Sequence, residues 1–336
     1  MSAPAHAPAT LDVIAIGNAI VDVMAPCEDS LIDELGMTLG GMTLVDADQA
    51  QSLYAAMGPA REISGGSAAN TLAGLAALGA NCAFIGQVAQ DQLGEVFAHD
   101  IRASGIEFAT AARAGDPPTA RCLIFVTPDG QRTMNTFLGA SQFLPAAALD
   151  AAQIASAKVL YLEGYLWDPE EPRAAMRRAI AAARDAGRKV AFTLSDAFVI
   201  SRHGDDFRAL VAAGEIDILF ANHVELAALT GEDDFEAGLA ALAPQVPVLV
   251  VTRGEHGAVA ISGAERAEVP AEPIARVVDT TGAGDLFAAG FLHGHVNDRA
   301  LGECLTMGAI AAAEIISHYG ARPEADLAAL VAARLG

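Results

Sequence analysis

Short runs rich in Val, Ile, Leu and Phe alternate with Ala- and Leu-rich stretches along most of the chain. The runs at 12–17 (DVIAIG), 82–88 (CAFIGQV), 158–164 (KVLYLEG), 189–195 (KVAFTLS), 217–222 (DILFAN) and 247–254 (PVLVVTRG) are nearly continuous in apolar residues, as strands buried on both faces are. Between them, segments such as 172–186 and 235–242 space apolar residues along one helical face and stop near Gly or Pro. Repeated strand–helix–strand order predicts an α/β fold of three layers, a mostly parallel sheet with helices on both faces. Ligands of such sheets sit beyond the carboxyl ends of the strands.

Two stretches break the rhythm, at about 20–45 and 107–138. Both show weak alternation and turn residues, and in the second Asp129-Gly130 forms a hairpin turn between alternating runs. They predict a small β lid inserted in a single domain covering 1–336, because no repeat or low-complexity linker divides the chain.

Composition narrows the function. With 20 Lys and Arg against 42 Asp and Glu, the net charge is −22 at pH 7, which argues against a nucleic-acid partner. At 53% hydrophobic and 18% charged residues, the chain has ample apolar surface for a large core. The uncharged stretch 63–90 is interrupted by Gly65, Gly66, Asn70, Gly74 and Gly79, so buried elements explain it and no membrane partner is expected. Residues 1–10 lack the pattern of a secretory signal and read as a loose tail. Cys27, Cys82, Cys122 and Cys304 form no CxxC pair, which fits a reducing cytoplasm.

The strongest chemical signal is VVDTTGAGDLFAAGFLHG at 277–294. A strand-like run ends in Thr-Thr-Gly-Ala-Gly-Asp before helical spacing resumes, which puts Gly282, Ala283 and Gly284 in the first turn of a helix. Unpaired N–H groups and the helix dipole there favour an anion. Asp285 stands beside that anion site as a base for a hydroxyl, and the helix terminus is expected to lower its pKa. Alone, this motif is equally well a tight strand-to-helix turn. A second one, ISGGSAANTLAGLAALG at 63–79, repeats the design with Gly65, Gly66, Ser67 and Asn70. Two such elements in one sheet make opposite walls of a site.

With these motifs, GQVAQDQLGEVF, ANHVELAALTG and VTRGEHG in the same order, the chain resembles the ribokinase, or PfkB, family of carbohydrate and nucleoside kinases from Leu11 to Pro323. The opening GNAIVD, FTLSDAFVIS and the ending AAAEIISHYGARP look most like adenosine kinases. The resemblance implies Asp285 as catalytic base, Gly282, Ala283 and Gly284 as anion hole, and Asn18, Asp22, Gly65, Gly66, Ser67 and Asn70 around the sugar hydroxyls. It places Arg132 as a lid arginine on the transferring phosphate, although a hairpin arginine is also an ordinary solvated charge. Met134, Thr136 and Phe198 correspond to residues around a purine, with Tyr165 and Trp167 as neighbours; apolar residues there also suit a core. Asn222 and Glu225 match an element near metal and phosphates, and their spacing equally makes a helix capping box. Thr252, Gly254 and Gly257 look like the nucleotide-binding turn, or a plain hairpin. Ala309 replaces the His or Asn that relatives carry near the nucleotide base.

The expected reaction is in-line transfer of the γ-phosphoryl group of ATP, with Mg²⁺, to the 5′-hydroxyl of adenosine. A sugar kinase acting on ribose or fructose, and a non-catalytic nucleotide binder, are the alternatives. A monovalent cation such as K⁺ and the choice between monomer and homodimer stay open, since relatives vary in both.

Overall fold

The computed structural model describes residues 9–336. The tail read at 1–10 therefore lies outside the described residues except for Ala9 and Thr10. A nine-stranded sheet runs in the spatial order Glu265–Val269, Ala258–Ser262, Val248–Thr252, Ile218–Asn222, Lys189–Thr193, Ala157–Glu163, Leu11–Ile16, Cys82–Ile85, Ile106–Phe108. Every pairing from Val248–Thr252 to Ile106–Phe108 is parallel. At the opposite edge, Ala258–Ser262 and Glu265–Val269 add antiparallel.

Alternate side chains of each central strand feed two apolar cores. In Leu11–Ile16, Val13 and Ala15 pack with helices Ser67–Ala77, Ala283–Val296 and Leu301–Ile315. Ile14 and Ile16 pack on the other face with Glu170–Asp185, Ala197–Ala212 and His223–Thr230. This is the three-layer arrangement that the sequence predicts. At about 1.5–3 kcal/mol for each fully buried Leu, Ile or Phe, these two layers carry most of the stability.

A second, five-stranded sheet has the order Met42–Leu44, Arg132–Phe137, Ala120–Val126, Ile20–Pro26, Arg61–Gly65. Val21, Val23, Leu123 and Phe125 anchor one of its faces in the main core. On the other, Ile20, Cys122 and Ile124 form a small cluster with Met134 and Leu138 at its margin. The sequence-derived lid limits need correction. Ile106–Phe108 joins the large sheet, because Phe108 packs against Phe97 and Phe84 at ring separations of 5.4 and 6.0 Å. Arg61–Gly65 joins the lid, antiparallel to Ile20–Pro26. The segment 20–45 also contains the helix Asp29–Glu34.

The strand-like run before GAGD is not a strand. Val278 and Asp279 donate from their amides to the carbonyl of Ile316, so this segment is held by the end of a helix instead of a sheet neighbour. What brings the two glycine motifs together is Gly74: a β-carbon there would lie 2.4 Å from Leu286 Cδ1 and 2.7 Å from Ala289 Cβ. Only a residue without a side chain lets helices Ser67–Ala77 and Ala283–Val296 approach this closely.

Candidate active site

A cavity of about 960 Å³ is lined on one side by residues at the carboxyl ends of the large sheet, among them Asn18, Glu163, Thr193, Asn222 and Thr252. Lid residues Ile20, Asp22, Met42, Leu44, Met134 and Thr136 line the other. The helix N-termini carrying Ser67, Asn70 and Asp285 close its inner end.

Asp285, half-buried, is held by both glycine motifs. Ser67 Oγ donates to its Oδ1 at 2.6 Å and Asn70 Nδ2 to its Oδ2 at 2.9 Å. Burial raises its pKa above the ordinary carboxylate value, outweighing these two bonds and the charge of Arg322. This direction is opposite to the lowering expected from the helix terminus, because desolvation by burial is the largest influence on the carboxyl. Gly282 starts the helix at φ +77°. The amide of Ala283 is spent on the carbonyl of Thr280 at 3.2 Å. Among the described residues the amides of Gly282, Gly284 and Asp285 have no such acceptor, so Asp285 takes the place of Ala283 in the expected trio of free donors.

Asp22 faces the cavity from the lid, and among the described residues its carboxylate accepts no hydrogen bond. Burial pushes its pKa up to about 6 against the opposing charges of Arg322 and Arg132. Gly65 backs it directly: a β-carbon there would come within 2.6 Å of the Asp22 carboxyl. Gly66, at φ +97°, brings its backbone so near Asn18 that a β-carbon would lie 2.2 Å from the Asn18 carbonyl oxygen. Asn18 lines the cavity, but its side chain is committed within the protein. Nδ2 donates to Glu163 Oε1 at 2.7 Å and Oδ1 accepts from Ser141 Oγ at 2.8 Å.

Arg132 is not a solvated hairpin charge. Both its side chain and that of Asp279 are 5% exposed, and the two are ion-paired. Asp279 also accepts from the amides of Thr281 and Gly320 at 3.0 Å. The capping box of Asn222 and Glu225 is realised: Asn222 Oδ1 accepts from the amides of Val224 and Glu225, and Glu225 accepts from Asn222 N at 3.0 Å and Nδ2 at 2.6 Å. Both also line the cavity. Burial holds Glu225 up to about 7. Thr252 lines the cavity, whereas Gly254 and Gly257 form the hairpin turn behind it, closed by Arg253 N donating to Gly257 O at 2.7 Å.

The outer part of the cavity is apolar. Met42, Leu44 and Phe198 are 53%, 54% and 67% exposed there, with Met134 and Tyr165 beside them. Trp167 is not a neighbour; it is fully buried against Phe192 and Phe207, with its indole N–H donating to Asp206. Ala309 is buried and not on the cavity wall.

Three residues escaped the sequence reading. Glu163, fully buried, accepts from Asn18 N, Asn18 Nδ2 and Ala68 N at 2.7–2.8 Å. An acid ending a buried strand was the available signal. Arg322 donates to Asn70 and Ser64, and nothing local in Gly-Ala-Arg-Pro marks that role. Arg202 lies over the Phe198 ring at 4.2 Å and is paired with Asp168 on the cavity wall.

The sequence profile of pfkB family carbohydrate kinases matches residues 12–327. The chain belongs to this family. Among solved structures, this pfkB kinase is similar to adenosine kinase from Sinorhizobium meliloti, at 50% identity over 97% of this chain and 99% of that one, with a TM-score of 0.89. It is also similar to a probable sugar kinase protein from Rhizobium etli CFN 42, at 45% identity over the same shares, with a TM-score of 0.90. Fructokinase-1 of Oryza sativa subsp. japonica is 30% identical over 70% of this chain and 74% of its own length. Among the described residues of this kinase, no helix is long and apolar enough to cross a membrane.

Proposed function

We propose that this pfkB kinase transfers the γ-phosphoryl group of ATP to the 5′-hydroxyl of adenosine, giving AMP, with Asp285 as the general base. The observation that carries the choice of acceptor is the two-part cavity. Its inner end offers the unpaired Asp22 carboxylate, suited to a vicinal diol, and its outer part exposes Met42, Leu44, Met134 and Phe198. A free sugar needs the first part alone; a nucleoside also covers the apolar surface with its base. The 50% identity to the Sinorhizobium meliloti adenosine kinase supports the same reading.

In this mechanism Ser67 and Asn70 aim the Asp285 carboxylate at the acceptor hydroxyl, and Asp285 takes its proton as the new P–O bond forms. The free amides at Gly282, Gly284 and Asp285 receive the developing negative charge, while Arg132, which is paired with Asp279 and does not line the cavity, braces the lid against the loop before GAGD. Thr252 faces the nucleotide from the cavity wall, with the Gly254–Gly257 turn supporting it from behind. Glu225 and Asn222 fit Mg²⁺ held through water: each Glu225 oxygen accepts one bond from Asn222 and keeps a lone pair. When bound, that ion neutralises phosphate charge. Helix dipoles contribute at most about 2 kcal/mol, whereas positioning two reactants contributes about 7–11 kcal/mol. Closure of the lid over both substrates is therefore the larger effect.

A sugar kinase of the same family is the second reading, favoured by the rice fructokinase and the Rhizobium etli protein. Release of ADP measured across adenosine, inosine, guanosine, ribose and fructose separates the two. Adenosine is expected to give the highest kcat/KM; turnover of a free sugar far above every nucleoside would reject the proposal.

A further inference from the structure

We propose that Arg322 is a positioning residue that locks the Asn70 amide so that its N–H, not its carbonyl, faces Asp285. The inference deepens the reading of Asp285 as the base and rests on it.

Arg322 arrives from the segment after the helix Leu301–Ile315 and is hydrogen-bonded to Ser64 and Asn70 of the 63–79 motif. Its Nη1 donates to Asn70 Oδ1 and to the Ala321 carbonyl, the latter at 3.1 Å. Its Nη2 donates to the Ser64 carbonyl and to Ser64 Oγ, the latter at 3.0 Å. Asn70 in turn donates from Nδ2 to Asp285 Oδ2. A side-chain amide is nearly symmetric in shape, so sterics alone do not choose between its two orientations. Here the charges on either side choose. Turned over, Asn70 would set its carbonyl against the Asp285 carboxylate and its N–H against the guanidinium, losing both bonds and gaining two repulsions. A guanidinium has no acceptor, so Arg322 can face only Oδ1. Ser64 completes the brace: its N and Oγ donate to Asp100 Oδ2 at 2.8 and 2.5 Å, which fixes the partner of Nη2 to helix Gln92–Ala103.

The charge of the same guanidinium acts on both Asp22 and Asp285 and opposes the burial that raises both carboxyls. The other charged groups around this pair are Arg132 from the lid, Asp279 from the loop before GAGD, Glu163 at the end of the central strand, and Asp100. Among the described residues, Arg322 is the only cation hydrogen-bonded to Asn70.

The test uses the full-length protein and the variants Arg322→Met, Arg322→Lys, Asn70→Ala and the double Arg322→Met/Asn70→Ala, each checked for a cooperative thermal transition. Arg322→Met is expected to lower kcat roughly 10- to 100-fold, the range that a displacement of about an ångström produces, and to move the acid limb of the pH–rate profile upward. Arg322→Lys keeps the charge without the fork, so its acid limb stays near wild type while kcat falls. In the Asn70→Ala background, at a pH well above the acid limb of both variants, Arg322→Met is expected to lower kcat less than twofold further. Independently of any acceptor, the Asn70 side-chain ¹⁵N–¹H₂ signal, assigned by its loss in Asn70→Ala, is expected to lose protection from exchange in Arg322→Met. An unchanged Asn70 signal, or fully multiplicative losses in the double variant, overturns the positioning role. Absence of turnover with every acceptor would overturn the proposed function and leave the amide signal to decide this inference.

Discussion

The lid is tied to the anion-binding loop by one buried ion pair, Arg132 with Asp279, whose side chains are each 5% exposed. Removing either partner strands a charge away from water. Arg132→Met is therefore expected to lower stability by about 3–5 kcal/mol, read as a shift in the urea midpoint at constant slope. Combining it with Asp279→Asn, which removes the stranded charge and keeps an acceptor for Thr281 N or Gly320 N, should recover more than half of that loss. A midpoint that does not move in the single variant would show that the pair does not hold the lid.

Asp285→Asn keeps the size of the side chain and an acceptor for Ser67 while removing the base. We expect kcat to fall about 100- to 10,000-fold with the acceptor KM within a few-fold of wild type. In the wild-type enzyme, kcat/KM should decline on the acid side as the pH falls through about 6, where Asp22 takes up its proton; burial moves Asp285 in the same upward direction. A profile flat down to the ordinary carboxylate range would contradict ionised forms of both groups in the reaction.

Asp22 links binding to stability with a definite sign. Its pKa is raised from 3.8 to about 6 by burial, so between those values the folded chain binds more protons than the unfolded one. The stability that this group contributes is fully present below pH 3.8 and is lost as the pH rises through about 6. At pH 8 Asp22→Asn is expected to melt at a higher temperature than wild type while acceptor KM rises, a stability–function trade-off of the usual kind. Scanning calorimetry at pH 8 and pH 4 checks it: a gain that is larger at pH 4 would reverse the sign.

The central sheet was legible because its strands are apolar on both faces and short enough to show as separate runs. The reading at 189–195 overran the strand Lys189–Thr193 only where Leu194 and Ser195 leave the sheet. The helical spacing at 235–242 coincides with the helix Phe235–Leu242. The lid was harder, since its members are joined by distant pairing: Arg61–Gly65 finds its place only against Ile20–Pro26, and Met42–Leu44 only against Arg132–Phe137. The same distinction applies to the site. The GAGD and SGGSAAN motifs carry their local structure with them, so Asp285, Ser67 and Asn70 were visible. Arg322 acts on Asn70 across 252 residues of chain, a relation that only packing reveals. Asn18, which the resemblance assigns to the sugar hydroxyls, lines the cavity, yet its side chain is taken up by Glu163 and Ser141.

Glu163 provides the sharpest check on that hidden framework. Its two oxygens accept from Asn18 N, Asn18 Nδ2 and Ala68 N, joining the turn after Leu11–Ile16 to the start of the helix that carries Ser67 and Asn70. Gln has the same shape but one acceptor and one donor, so Glu163→Gln turns an N–H toward Ala68 N or toward Asn18. Burying opposed donors costs about 1–3 kcal/mol, and relief requires the helix start to move, which displaces Ser67 from Asp285. The variant is expected to lose that much stability in urea at pH 8 and to lower kcat more than it raises the KM for ATP. Burial holds Glu163 up to about 7, so pH 8 compares the ionised side chain with its neutral replacement. Unchanged stability together with unchanged kcat would mean that the three bonds to Glu163 do not set the geometry around Asp285.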